Sequence, residues 1–269
     1  MIKAAEASTS KGWERAMINI GGGRQRLMTE ERNCGRIIWD SRDMVARVWK
    51  RIEHLPEVQE ITRLENVPRI FGNGPAKWQE VWKFTRPNER MRFLKYEGQE
   101  YFRPHCDGSY ETPDHKERTY FTLHLYLNNA GVATKDPKDA SEGDAASGDV
   151  LIGGATTFHA YVSATRLQST TDGADLLAQN MVDRLDVLPK AGRILLFQHR
   201  DLIHSGDDVM AGTKYTMRTD LLYSLEEGEP RQRGKQQQKK SKMPVLHDPV
   251  EEEEGTDGLS EAQEYGYLN

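Results

Sequence analysis

Residues 119–128 read TYFTLHLYLN, and their alternation decides the fold class. In an extended chain successive side chains point to opposite faces. Phe121, Leu123, Leu125 and Leu127 share one apolar face, and Thr122, His124 and Tyr126 share the other. A strand with one apolar face belongs in a sheet that covers a core. A polar second face in so long a strand marks a site, with an exposed sheet face as the ordinary alternative.

Working outward, RFLKYE (92–97), GGATTFHAYV (153–162), LDVLP (185–189), RILLFQ (193–198) and TKYTMRTDLLY (213–223) are also β-rich and bounded by turn residues. Nearer the N-terminus the period changes. Met44, Val45, Val48, Ile52 and Leu55 follow helical spacing, with Asp40 or Ser41 as a cap and Pro56 as a stop; residues 57–66 read as a second short helix. This order predicts an α+β chain that is mainly β, an antiparallel core buttressed by N-terminal helices.

The chain has 269 residues, of which 36% are hydrophobic, a low share that places part of it outside the core. Residues 1–23 are small, polar and glycine-rich and read as a flexible lead-in. The domain then runs over 24–226, with helical support at 38–66 and the β core at 92–224. Residues 227–269 carry the basic run RQRGKQQQKKSK (231–242) and the acidic EEEE (251–254), and read as a disordered tail. The basic run could be a nuclear address, though a solvated tail is the commoner outcome. Residues 131–149 read as a charged loop.

The formal net charge of -5, with no basic stripe in 92–223, argues against nucleic acid as a partner. Two cysteines, Cys34 and Cys106, build no disulfide framework and fit a reducing compartment. No signal-peptide pattern and no apolar run long enough for a membrane span occur. The expectation is a soluble, cytoplasmic or nuclear protein, not secreted and without a membrane partner. Its oligomeric state is not legible.

The chemistry lies in FRPHCDG (102–108) and HRDLIHSG (199–206). His105 and Asp107, two apart on an extended segment, project to one face, and His204 follows the strand RILLFQ. Two imidazoles and one carboxylate on one side of a metal leave its other positions open, as iron(II) oxygenases require. Alone, His-x-Asp is weak and reads equally as a hydrogen-bonded pair at a loop edge. Lys214 strengthens it: ten residues after His204, it shares a strand face with Thr216 and Arg218. A cation beside a hydroxyl suits a bound carboxylate. The ordinary alternative, solvated strand cations, is weaker for Lys214 than for Arg218.

The order YEGQEYFRPHCD (96–107), YLN (126–128), GGATTF (153–158), GRILLFQHRDLIHSG (192–206) and GTKY (212–215) resembles the prolyl 4-hydroxylase-like branch of the 2-oxoglutarate- and iron(II)-dependent dioxygenases, fungal members in particular. The resemblance covers about residues 92–223. It implies a double-stranded β-helix, a jelly-roll or cupin-like barrel with iron at its mouth. It implies His105, Asp107 and His204 as iron ligands, and Lys214 as the cation for the far carboxylate of 2-oxoglutarate. Tyr126, Thr216, Tyr96 and Arg218 are the remaining candidates for binding that co-substrate. Dioxygen is the second co-substrate and ascorbate a candidate reductant. The implied reaction hydroxylates a C–H bond of a peptidyl proline, an amino acid or another small molecule, releasing succinate and carbon dioxide.

Three other readings compete. A nucleic-acid oxidative demethylase would need the missing basic stripe. An inactive β-helix scaffold would not need the ligand set, and a zinc hydrolase would leave Lys214 without a purpose. His124 reads as pocket lining without ligation, and Cys106 as a packed residue pointing away from the metal.

Overall fold

The computed structural model describes residues 1–20, 24–131, 150–159 and 184–226. The predicted loop at 131–149, the irregular stretch after His159 and the tail at 227–269 lie outside the described residues, apart from Gly131.

The chain begins with helix α1 (Ile2–Ala7), followed by the short strands β1 (Glu14–Arg15), β2 (Ile18–Asn19), β3 (Gln25–Arg26) and β4 (Arg32–Asn33). Next come β5 (Gly35–Asp40), α2 (Arg42–Trp49), α3 (Pro56–Gln59), β6 (Arg63–Glu65), α4 (Pro68–Phe71) and α5 (Asn73–Lys77). The central strands are β7 (Val81–Pro87), β8 (Arg90–Glu97), β9 (Tyr101–His105) and β10 (Glu117–Tyr126). The C-terminal part holds β11 (Ile152–Gly153), β12 (Thr156–His159), β13 (Arg184–Val187), β14 (Ile194–Gln198), β15 (His204–Gly206), β16 (Val209–Ala211) and β17 (Thr213–Leu225).

Two antiparallel sheets carry the architecture. The larger runs β1-β5-β8-β17-β10-β14, with β7 also on β17 and β6 on β7; the smaller runs β13-β12-β15-β9-β4. Strands far apart in sequence pair throughout, as a mainly β, double-stranded β-helix core requires.

The alternation read from residues 119–128 is realised in β10. Phe121, Leu123 and Leu125 sit in the main apolar core, together with Ile37, Phe93, Met217 and Leu221 from β5, β8 and β17 and Val45, Val48 and Trp49 from α2. The opposite face is also buried: Thr122, His124 and Tyr126 are each at most 9% exposed. The sheet is therefore two-sided, with helices on its apolar face and a polar interior on the other.

Helix α2 starts where Ser41 was read as a cap. The Ser41 Oγ accepts from the Met44 amide at 3.3 Å and satisfies one of the amides that a helix start leaves without a partner. Asp40 instead ends β5 and pairs with Arg90.

Three sequence expectations need correction. Residues 57–66 are not one helix: α3 ends at Gln59 and β6 follows, and Pro56 opens α3 at a position where its missing N–H costs nothing. The sheet also begins before residue 92, since β5, β6 and β7 join it through β8 and β17. Residues 2–19 are no flexible lead-in: Ala5 is fully buried, the Trp13 ring lies 5.8 Å from that of Tyr215, and Arg15 pairs with Glu100. Small polar residues hid this attachment, because burying alanine needs a complementary surface rather than a hydrophobic pattern. Among the described residues no helix is long and apolar enough to cross a membrane.

Candidate metal centre

His105 ends β9 and His204 opens β15, and these two residues are direct partners in the antiparallel ladder. That register brings together imidazoles 99 positions apart, with ring centroids 4.4 Å from each other. Asp107 lies two residues beyond β9 and is fixed from the larger sheet instead. Its Oδ2 accepts from the Thr122 Oγ1 at 2.6 Å, and its Oδ1 lies 3.0 Å from the Arg218 Nη1. Oδ1 is also 3.6 Å from the His105 Nε2 and 3.8 Å from the His204 Nε2. One ligand atom from each of the three residues falls within 4.8 Å of the others, close enough to grip one ion.

The far side of each ring sets its chemistry. The His105 Nδ1 lies 2.8 Å from the Arg103 carbonyl oxygen, and the His204 Nδ1 3.2 Å from that of Leu202. A carbonyl only accepts, so Nδ1 donates in both rings, and in the neutral form Nε2 keeps its lone pair. Burial, opposed by Asp107, pushes the His204 pKa down to about 4, so its ring is neutral near pH 7. Burial by itself would raise the Asp107 pKa, but Arg218, His105 and His204 outweigh it and hold the carboxyl well below its ordinary range. Two imidazoles and one carboxylate meeting on one side form a donor set suited to a divalent ion with open positions.

Behind the triad lies the polar face of the larger sheet. Across β10, β17 and β8 the register sets Tyr126 opposite Thr216, His124 opposite Arg218, Lys214 opposite Tyr96 and Arg218 opposite Arg92. Two arginines directly opposite repel each other. Asp220 resolves this, with its Oδ2 3.1 Å from the Arg92 Nη1 and its Oδ1 3.4 Å from the Arg218 Nη2. Against its own burial, Asp220 is held below the usual carboxylate range by Arg218 and Arg92.

Lys214 is 2% exposed, yet no ion pair or hydrogen bond serves it among the described residues. Its ammonium faces the rings of Tyr96 at 5.1 Å and Tyr126 at 5.8 Å. Burial, opposed by Asp207, pushes its pKa down to about 8. Gly154, at a φ of +67°, makes room for its stem, because a Cβ there would sit 3.0 Å from the Lys214 Cδ. The Thr216 Oγ1 and the His124 Nε2 are buried without partners among the described residues. The Tyr126 hydroxyl lies 2.6 Å from the Thr156 Oγ1 and 3.1 Å from the Val187 carbonyl oxygen, so it is already engaged.

All eight site residues expected from the sequence are thus placed around one interior. His105, Asp107 and His204 line it together with Lys214, Arg218 and Tyr96, and Thr216 and Tyr126 lie fully buried on the same sheet face. His124 lines the same chamber, as read, and Cys106 is exposed. Sequence reasoning missed Thr122, Asp220 and Arg92. Thr122 shares its alternation with His124, and Asp220 continues the series Lys214, Thr216, Arg218, so the period held both. Arg92 is placed only by the cross-strand register.

Residues 91–219 match the 2OG-Fe(II) oxygenase superfamily. No curated protein matches the chain. Among solved structures it is similar to a Pseudomonas putida prolyl-4-hydroxylase at 13% identity, covering 82% of this chain and 81% of that one, with a TM-score of 0.44. A viral collagen prolyl hydroxylase of Paramecium Bursaria Chlorella virus-1 matches at 16% identity over 72% and 80% of the two chains, with a TM-score of 0.38. A Trichoplax adhaerens prolyl hydroxylase matches at 15% identity over 78% and 71%, with a TM-score of 0.40. The segment that matches the 2OG-Fe(II) oxygenase superfamily, residues 91–219, holds His105, Asp107, His204 and Lys214.

Proposed function

We propose that the protein is an iron(II)- and 2-oxoglutarate-dependent dioxygenase that hydroxylates a C–H bond of a small-molecule, amino-acid or peptidyl-proline substrate, with release of succinate and carbon dioxide. One observation carries the reading: a metal-competent triad shares its interior with a buried lysine that has no counter-ion among the described residues. A buried ammonium without an anion is unfavourable, and a carboxylate reaching it from the metal resolves the charge.

The residues fit both groups. His105, Asp107 and His204 would hold iron through two Nε2 atoms and Oδ1. Lys214 would pair with the far carboxylate of 2-oxoglutarate, and the Thr216 hydroxyl, otherwise without a partner, would donate to it. Tyr126 and Tyr96 flank the ammonium with their rings. Arg218 holds Asp107 in place. The chamber beside Lys214 has a volume of about 30 Å³, room for one water, so the diacid enters only as the side chains at its mouth turn aside. Bound iron, with 2-oxoglutarate and dioxygen, supplies the oxidising power, and ascorbate is the candidate reductant that keeps it iron(II). The protein's part is to place the substrate C–H beside the triad and to exclude water, with the Phe102, Phe197 and Leu94 side chains as apolar walls.

The test is turnover of labelled 2-oxoglutarate by the purified chain with iron(II) and oxygen, read as succinate. His105→Ala should lose metal binding. Lys214→Ala should keep metal binding and lose oxoglutarate affinity. The reading is wrong if anaerobic iron-loaded protein neither binds nor turns over oxoglutarate, and the Lys214 assignment is wrong if Lys214→Ala leaves oxoglutarate affinity unchanged while Arg218→Ala abolishes it.

A further inference from the structure

We propose that the cleft outside the metal centre is an anion site, and that the substrate is a small acid whose carboxylate or phosphate is held by Arg32 and Arg36. This rests on the oxygenase reading above.

The cleft has a volume of about 370 Å³, and His105 and Asp107 form part of its wall, so a molecule bound there reaches the metal centre. That volume is in the range of small-molecule sites, about 300–1,000 Å³. Six arginines line it, Arg32, Arg36, Arg90, Arg92, Arg103 and Arg218, against two acids, Glu31 and Asp107. Four of the six are matched by aspartates: Arg90 by Asp40, Arg92 by Asp220, Arg103 by Asp208 and Arg218 by Asp107, at 3.0–3.2 Å.

Arg32 and Arg36 are different. They are 7% and 9% exposed, and neither has a carboxylate at ion-pair distance among the described residues. Arg32 lies over the Phe102 ring at 4.6 Å, and its Nε is buried with no acceptor. Arg36 donates from Nη2 to the Gln25 side-chain oxygen at 3.3 Å, a neutral partner. Burial, and then the charges of Arg32 and Arg92, lower the Arg36 pKa.

Register explains why they converge. Arg36 on β5 pairs with Leu94, and Arg92 lies two residues from Leu94 on the same face of β8. Arg32 comes from β4, at the edge of the smaller sheet. The two guanidinium groups thus approach from opposite sheets. Each is a planar fork of N–H donors shaped for a carboxylate or phosphate. Desolvated cations held together without an anion are costly, and one bound anion satisfies both. Their burial in a cleft, rather than along an exposed track, suits a small acid and not a nucleic-acid backbone.

The experiment titrates inorganic phosphate into the full chain, by anaerobic calorimetry with iron(II) and 2-oxoglutarate present. Wild type should show one phosphate site. Arg36→Gln should weaken it by about tenfold or more, as loss of a charge-assisted fork does, and leave oxoglutarate binding in place; Arg32→Gln should weaken phosphate likewise and is read for phosphate alone, because Arg32 also lines the chamber beside Lys214. Lys214→Ala should do the reverse. If Arg36→Gln does not fold, Arg36→Lys is read instead, and it should weaken phosphate by losing the fork. Absent phosphate binding, affinity unchanged in both arginine variants, or loss through Lys214→Ala instead overturns the proposal. So does a short single-stranded oligonucleotide whose binding depends on Arg36 when phosphate binding does not. If phosphate behaves as expected but oxoglutarate never binds, the oxygenase reading fails and the anion site stands.

Discussion

Asp107 is held from two sides before any metal arrives, by the Thr122 hydroxyl on one oxygen and the Arg218 guanidinium on the other. Such supporting contacts aim a ligand, and removing one lowers metal affinity about 10- to 100-fold. Thr122→Val keeps the side-chain shape and deletes the donor. It should weaken iron(II) binding by that order while the fold survives, as read by metal titration and circular dichroism. Lys214 yields a pH prediction. Its folded pKa of about 8 lies below the ordinary 10.5. Between those values the unfolded chain binds the extra proton, so this group's contribution to stability rises with pH there; below about 8 the buried ammonium is a constant cost. In the proposed function, oxoglutarate pairs with that ammonium. Its affinity should therefore fall as pH rises above about 8, by up to about tenfold per unit. Titrations with manganese(II) standing in for iron(II) check this, and Lys214→Ala should remove the slope.

At the scale of elements, β17 does the most. Its even-numbered residues from Lys214 to Asp220 face the interior, and Met217 and Leu221 face the helices. It pairs with β10 on one edge and with β8 and then β7 on the other, and it carries Lys214, Thr216 and Arg218, three of the five sheet-face candidates, in one register against the core. Sliding it by one residue would put Lys214 among the core side chains. Helix α2 packs on the far face and owes its start to Ser41. Ser41→Ala should cost about 1 kcal/mol of stability, measured by chemical denaturation, with oxoglutarate affinity unchanged.

At the scale of the whole molecule, two sheets face each other across the metal centre. The smaller one contributes His105 and His204, and the larger contributes the polar face bearing Lys214 and both groups that hold Asp107. The N-terminal residues close one end of this assembly. Deleting residues 1–19 removes the buried Ala5, the Trp13 contact to Tyr215 and the Arg15–Glu100 pair. The deletion should lower stability by on the order of 2–3 kcal/mol in a denaturant melt. A flexible lead-in would leave the midpoint where it was.

Local periodicity by itself determined the two faces of β10 and β17 and a helix cap at Asp40 or Ser41; His105, Asp107, His204, Lys214 and Thr216 were legible as one candidate site from the order of their motifs and the family resemblance. Alternation and capping act within a few residues, so they are written in neighbouring letters. Tertiary structure alone decided the rest. The pairing of His105 with His204 and of Arg92 with Asp220 joins segments about a hundred residues apart, and Arg32 and Arg36, near in sequence, reach one cleft from strands of two different sheets. Register between distant strands sets those meetings, and a charge reveals whether it is matched only when its neighbours in space are known.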